Sequence, residues 1–531
     1  MQKEFDLIIV GSGPSGISAA YPLLEAGFSV AILDGGRVAD ISPPDEPYFD
    51  WRFQRNEQWR WAVGTDFFSL KQADAVSPKL RVPGHKYVFD GFCQENRIES
   101  RGFATFGSLA QGGLSNSWGC GVSRLSEAEI SECPFSSTEI SDSYARVASR
   151  IGISGRADDD MALFFGLDDW AQPAISIDSL QGAILAGYQA WRDRKASSEF
   201  YLGRSRVAVL SHSLGGRKGC DRSSNCLWGC RNSALYSAGD ELEELKRKFS
   251  NLTHLPGFVV DEVSSGGGKP FVGGRFAGER IGLKGVRVLL AAGTLATSGL
   301  VMRALGMKVN QNLQSCPTAA FMLWMPKFFG RSPEMSFGLG QLSYSLTLDS
   351  RVSAFGSLFS TTGLPINEFL SHMPFHRRYG IDFMRLMLGS CVVGNLFLPG
   401  QLTRTYIEID SDGAMNVQGS FLSSVDGYMS VAKKKLRRSF LSSGAFLLPM
   451  SFKVGRPGGD IHYAGSFPMR KSPVLGESDE RGEVVGLSGV HVVDGAGLPV
   501  LSAKSHTLTL MANADRVSRR LISEIGAVKR F

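Results

Sequence analysis

Phe5-Asp6-Leu7-Ile8-Ile9-Val10-Gly11-Ser12-Gly13-Pro14-Ser15-Gly16 opens the chain, and its reading decides the fold. Phe5 to Val10 is an apolar run of strand length, and the glycine turn follows without a linker. An apolar-periodic stretch then reaches Ala26, Gly27 stands where a helix stops, and Phe28 to Leu33 forms a second apolar run ending at Asp34. Strand, glycine turn, helix and strand, with an acidic residue 23 positions after Gly11, is the pattern of a dinucleotide site. Gly11 makes the tight turn, Gly13 lets the backbone approach a pyrophosphate, and Gly16 permits close helix–strand packing. Ser15 lies in the first turn of the helix, whose N-terminus offers free N–H groups and a positive dipole end to phosphate. Asp34 is suited to accept hydrogen bonds from a ribose diol. Pro22 removes a mid-helix donor and is expected to kink that helix.

A chain of 531 residues exceeds one hydrophobic core, so two domains are expected. With 43% hydrophobic and 20% charged residues, the composition is that of an ordinary globular protein, and the net charge of +6 argues for no nucleic-acid partner. The 62 glycines imply many tight turns and close backbone approaches. No cationic stretch and separate apolar core precede Phe5, so a cytoplasmic location is expected. Phe383 to Leu398 contains Arg385 and is too short to span a bilayer. Eight cysteines in so long a chain suggest reduced thiols or metal ligands, not a disulfide framework.

Residues 35–100 lose periodicity and read as long loops. Residues 125–150 and 178–196 read as helices, Ser233 to Phe249 as an amphipathic helix, and Leu255 to Val263 as a strand. Ser264 to Gly274 is turn-rich, a hairpin or loop, before the apolar strand Val286 to Ala292 and a helix to Leu305. Residues 309–450 change character: rich in Phe, Met, Ser and Thr, they alternate in Gly340 to Leu348 and Arg404 to Ile409. An antiparallel sheet with helices is expected there. Strand Gly489 to Val493 and helix Thr507 to Ile525 return to the nucleotide-binding style. The expected fold class is α/β, with one discontinuous domain (1–308 and 451–531) around an inserted domain (309–450).

Several separated motifs together resemble one family, the glucose–methanol–choline flavin oxidoreductases. They are the N-terminal glycine motif, Val288-Leu289-Leu290-Ala291-Ala292-Gly293-Thr294, and the run from Val492 to Pro499 followed by Thr507 to Ala514. His462-Tyr463-Ala464-Gly465-Ser466-Phe467-Pro468-Met469 is similar to the family's catalytic stretch, with serine in place of threonine. The resemblance spans residues 5 to 525 in the family's order. It implies a Rossmann-type FAD domain with a substrate domain built on an antiparallel sheet, and FAD instead of NAD. Gly112-Gly113-Leu114-Ser115-Asn116-Ser117-Trp118 looks like the flavin-side loop of the pyranose-oxidase and sugar-dehydrogenase branch. Ser117 aligns with a histidine that bonds covalently to flavin in pyranose oxidases; serine cannot form that link, so the FAD is expected to be non-covalent.

On this resemblance Gly11, Gly13, Ser15, Gly16, Asp34, Gly112, Gly113, Asn116, Val260, Ala292 and Asp494 form the cofactor site. His462 is the implied base, taking the hydroxyl proton while hydride leaves carbon, a task suited to a group titrating near neutrality. The family's second active-site position falls on Ser505, with His506 one residue later, and His506 is the preferred partner. The expected substrate is a small alcohol of a sugar, polyol or glycoside, with electrons passing to oxygen, a dye-like acceptor or an acceptor protein; a flavin-binding protein without redox turnover, or a lyase on the same fold, is a further reading.

Cys220, Cys226 and Cys230 have the spacing C-x5-C-x3-C. Three thiolates on one loop suit iron or zinc, and the stretch looks like the segment that holds a three-iron cluster in iron–sulfur sugar dehydrogenases. Small buried thiols that merely pack are the other reading. Asn232 is placed to cap the helix expected next. Lys433-Lys434-Lys435-Leu436-Arg437-Arg438 and His376-Arg377-Arg378 read as solvated helix faces in preference to membrane contacts.

Overall fold

The computed structural model describes residues 4–528 apart from 41–45, 48–56, 72–76, 167–170, 194–198, 267 and 365–375. Strand Glu4–Val10 is the centre of the first sheet because its apolar side chains are buried on both faces. It pairs in parallel with Val30–Asp34 on one side and with Glu279–Leu290 on the other. Strands buried on both faces carry continuous apolar runs instead of alternation, which is why FDLIIV and VAILD read as they do. Leu252–Pro256 extends the sheet beyond Val30–Asp34. On the far side Phe271–Phe276 and Val259–Ser264 continue it antiparallel. The C-terminal strand Val490–Val492 returns to pair in parallel with the end of Glu279–Leu290.

Helix Pro14–Glu25, with Pro22 inside it, packs one face of this sheet together with the long helix Thr507–Val528. Ile17, Leu23, Leu508, Met511 and Val517 meet Leu7 and Ile9 in one core. The other face buries Ile8, Val10, Val288 and Leu290 against Leu300 and Val301 of helix Thr294–Ala304.

Two further sheets follow. Gln311–Ser315, Thr403–Ile409 and Met415–Phe421 join Ile98–Arg101 and Tyr463–Ala464. Leu313, Ile407, Met415 and Val417 of this sheet share the core of the first sheet, although they come from within residues 309–450. The third sheet is antiparallel, in the order Phe446–Leu447, Thr318–Trp324, Cys391–Phe397, Ser353–Ser360, Gly340–Thr347 and Phe200–Arg204. Helices Ser179–Arg192 and Ser424–Ser442 cover it, with Phe440 wedged edge-on between Phe200 and Tyr344.

Several local expectations change. The helix expected over Ser233 to Phe249 begins at Ala238, capped by the Ser237 hydroxyl, so Asn232 is not its cap; Asn232 Nδ2 donates to the Gly219 carbonyl. The strand expected over Leu255 to Val263 is two strands, because Gly257 turns the chain at φ +85°. The strand ending at Leu290 begins at Glu279, since its first half pairs with Phe271–Phe276. Among the described residues no helix is long and apolar enough to cross a membrane.

The tightest backbone approach around the first sheet lies at its glycine turn. A Cβ on Gly16 would sit 1.9 Å from the Gly11 carbonyl oxygen, and one on Gly11 2.2 Å from that of Ala291. Gly16→Ala is therefore expected to lower stability by about 1–3 kcal/mol, the cost of forcing a methyl group into a packed contact. Chemical denaturation of the variant, followed by far-UV circular dichroism, measures it.

Candidate active site

A cavity of about 460 Å³ runs from the glycine turn to the antiparallel sheet. It lies beyond the carboxyl ends of the parallel strands, where open α/β sheets bind ligands. Gly11, Gly13, Ser15, Asp34, Val260, Ala292 and Asp494 all line it. Gly13 is the N-cap of helix Pro14–Glu25 and supplies no side-chain acceptor, which leaves first-turn N–H groups for a ligand. Nothing lies within 4 Å of a Cβ built on Gly13, so this glycine keeps open the space a pyrophosphate needs. Asp34 ends its strand with Oδ1 accepting from Gly36 N at 2.8 Å and Oδ2 within 3.1 Å of His254 Nε2. A carboxylate has about four acceptor sites, so ribose hydroxyls remain within its capacity. His254, in the neighbouring strand, carried no sequence signal.

Gly16 does not line the cavity, and neither do Gly112 and Asn116; these residues shape it. Gly112 N donates to Ser12 Oγ at 3.0 Å, tying the glycine loop to the phosphate turn. Asn116 Nδ2 donates to the Gln111 and Gly113 carbonyls, folding the loop on itself. Gly113 and Ser117 do face the cavity. A Cβ on Gly113 would lie 3.3 Å from Gly13 Cα, so the two turns nearly touch. The Ser117 hydroxyl pairs with His85 Nδ1 at 2.9 Å, and burial drives that imidazole down to about 3. Asp494 accepts from Gly293 N at 2.9 Å, Thr297 Oγ1 at 2.5 Å and Ala496 N at 3.0 Å. Its carboxyl clamps the start of helix Thr294–Ala304, and burial raises it to about 6.

His462 and His506 converge on the wall at the other end. Their rings meet edge to face with centroids 4.9 Å apart, and Phe397 packs 5.0 Å from His462. In both rings Nδ1 is buried without a hydrogen-bond partner among the described residues, and both residues line the cavity. Burial lowers His462 to about 4; burial and then the His462 charge lower His506 to about 3. Both are neutral bases at pH 7. Ser505 also lines the cavity, while its carbonyl accepts from Ser123 Oγ at 3.0 Å.

Asp460, two residues before His462, was not singled out from the sequence. Its side chain is fully buried, and Oδ2 accepts from Cys316 N at 2.8 Å and His462 N at 3.1 Å. Oδ1 has no partner among the described residues, and burial lifts the carboxyl to about 8. His462 Nδ1 stands 3.9 Å from Oδ2, just beyond hydrogen-bond reach. Between them Ile461 adopts φ +63°, a conformation a β-branched residue takes only under constraint. The Asp460 carboxyl accepts the His462 amide across that turn and the Cys316 amide from the chain just after Gln311–Ser315, which anchors the backbone that carries the His462 ring. Cys316, Asp460 and His462 are the only described group of three such residues with ligand atoms within 4.8 Å of one another.

Cys220, Cys226 and Cys230 all pack against the apolar cluster of Cys120, Val209, Phe337 and Leu339. Their three sulfurs do not all fall within 4.8 Å of one another. Burial raises the Cys220 thiol to about 11 and Cys226 well above its usual range.

No family model matches the sequence, and no curated protein matches it. The fold has a counterpart in the crystal structure of pyridoxine 4-oxidase from Mesorbium loti, with a TM-score of 0.60. The match covers 97% of this chain and 99% of that one at 15% sequence identity, so the likeness extends over nearly the whole fold.

Gly13 separates cofactor binding from folding. Gly13→Ala meets no protein atom, so its unfolding midpoint is expected to match that of the parent. Its methyl group enters the space kept for pyrophosphate, so the variant is expected to lose bound dinucleotide on gel filtration. The ratio of cofactor to protein absorbance measures this.

Proposed function

We propose that this chain is an FAD-dependent oxidoreductase that oxidises a CH–OH group of a small molecule. The observation that carries the reading is the placement of His462 and His506 on the wall of the same cavity that begins at Gly13 and Asp34. The motif resemblance and the shared architecture support it. Bound FAD supplies a two-electron acceptor for hydride. The residues do the rest. Gly13, Ser15 and the helix N-terminus receive the pyrophosphate, and Asp34 holds the ribose. Ser117 offers no covalent attachment, so the cofactor is held by these contacts. His462 Nε2 takes the hydroxyl proton, and His506 holds the same oxygen from the adjacent ring. Asp460 orients His462 through the backbone. Phe355, Phe359 and Phe397 line the same cavity and exclude water from it.

The glycine loop from Gly112 to Trp118 supports a sugar, polyol or glycoside as the substrate, with a dye-like or protein acceptor for the electrons. A second reading, oxygen as acceptor, is favoured by the solved neighbour, which is named an oxidase. Peroxide formation in air, compared with the rate on an artificial acceptor, separates them.

Cys220, Cys226 and Cys230 are proposed to pack as small apolar groups, given that all three lie against one apolar cluster and that burial raises the Cys220 and Cys226 thiols. Iron and acid-labile sulfide assays on anaerobically purified protein are expected to return neither; stoichiometric iron would establish the three-iron cluster instead.

His462→Ala is expected to keep the fold and the yellow colour while turnover falls by roughly 10² to 10⁴, the usual contribution of a general base. Single-turnover stopped flow should show the same loss, and His506→Ala a smaller one. A variant that reduces its cofactor at the parental rate would place the base elsewhere. Because burial holds His462 at about 4, the base is already deprotonated above that pH; activity on a neutral alcohol is lost only as pH falls through about 4.

A further inference from the structure

Lys79 is the only lysine or arginine among the described residues that line the cavity. It sits in a short 3-10 turn, Pro78–Arg81, that carried no sequence signal. The His85 ring links this turn to the glycine loop, pairing with Ser117 Oγ and with the Lys79 backbone. The ionisable groups that bear on the ammonium are the thiols of Cys120 and Cys226, not a carboxylate. Cys226 in turn packs 3.3 Å from where Gly338 would carry a Cβ, and Gly338 leads into strand Gly340–Thr347 of the antiparallel sheet. Lys79 therefore lies on the side of the cavity near the Cys226 loop, where Leu227 and Leu339 also line it.

Among the described residues no carboxylate of the cavity pairs with it, and each has other partners. Asp34 is engaged by His254 and Gly36. Asp494 is engaged by Gly293, Thr297 and Ala496. Asp460 is engaged by two backbone amides. Among the described residues Lys79 has no ion pair and no side-chain hydrogen bond. A half-buried ammonium without a counter-ion costs free energy that an incoming anion recovers. Burial lowers Lys79 to about 8, so it is charged at neutral pH.

We infer that Lys79 anchors an anionic group, a carboxylate or a phosphate, on the alcohol that enters the cavity. This rests on the oxidoreductase reading above and narrows its substrate to hydroxy acids or phosphorylated alcohols. A single charge-assisted hydrogen bond to such a group discriminates it from an uncharged congener by about tenfold or more. The same ammonium would also suit a negative charge on the reduced cofactor, and the measurements below separate the two sources.

Acetate and inorganic phosphate are titrated into the FAD-loaded protein, following the visible difference spectrum, for the parent, Lys79→Gln and Lys79→Arg. The parent should bind saturably, with affinity falling as pH rises through about 8 and the ammonium loses its proton. Lys79→Gln should bind at least about tenfold more weakly, and Lys79→Arg should retain binding without the fall near pH 8. With hydroxy acids and their methyl esters as paired substrates, Lys79→Gln should raise KM for the acids alone and leave kcat unchanged. If Lys79→Gln does not fold, the pH dependence of the parent and Lys79→Arg still decides. Equal anion affinity in Lys79→Gln and parent overturns the inference. So does a lowered flavin midpoint potential with anion affinity unchanged, which would assign the ammonium to the reduced cofactor. Saturable anion binding in a protein that oxidises no alcohol would refute the oxidoreductase reading and leave the anion site standing.

Discussion

The close approach of three backbone segments at Gly11, Gly16 and Ala291 governs the rest of the structure. Helix Pro14–Glu25 can leave the first strand at this angle only because Gly16 has no side chain to meet the Gly11 carbonyl. Strand Glu279–Leu290 can end beside the same turn only because Gly11, at φ +106°, has none to meet Ala291. The contact brings the carboxyl ends of three parallel strands to one point. Val10, Asp34 and Ala292 then surround a space that no side chain fills. Interiors are close-packed, so an opening of this kind is kept by glycine and by backbone held in place from behind.

The C-terminal part of the chain does that holding. Val490–Val492 pairs with the end of Glu279–Leu290, and Asp494 then reaches Gly293 and Thr297. Helix Thr507–Val528 packs on helix Pro14–Glu25 on one face of the sheet. These contacts set His506, the residue before that helix, over the cavity. His462 arrives by another route, one residue ahead of Tyr463–Ala464, which pairs with Gln311–Ser315. A buried carboxyl at Asp460 braces the strained turn at Ile461 by accepting the His462 amide across it and the Cys316 amide from a distant segment. Two histidines 44 positions apart in sequence (506 − 462) thus share one wall, and each is kept neutral by burial. Burial keeps both rings uncharged at neutral pH but also lowers their proton affinity, so His462 does not titrate near neutrality as expected from the sequence.

Local sequence signals were strongest where local chemistry determines structure. The glycine turn, the buried strands and the helix after Gly293 read correctly because each depends on its own residues: missing side chains, two-sided burial and a positive-φ N-cap. The alternation in Gly340 to Leu348 and Arg404 to Ile409 marked antiparallel strands for the same reason. Boundaries failed where pairing with a distant strand decided them, as at Glu279, or where one left-handed glycine divided an apolar run, as at Gly257.

By itself the sequence determined the βαβ turn, its glycines, Asp34, and the histidine in the segment around Gly465 and Met469, because periodicity and residue size act over a few neighbours. Tertiary structure decided what those residues face. It gave Asp34 a buried partner in His254, turned Gly112 and Asn116 into supports for the loop, and set Asp460 behind His462. It also joined strands from within residues 309–450 to the core of the first sheet and placed Lys79 in the cavity without a counter-charge among the described residues. Those outcomes depend on contacts between segments hundreds of residues apart, where shape and burial, not local propensity, select the partner.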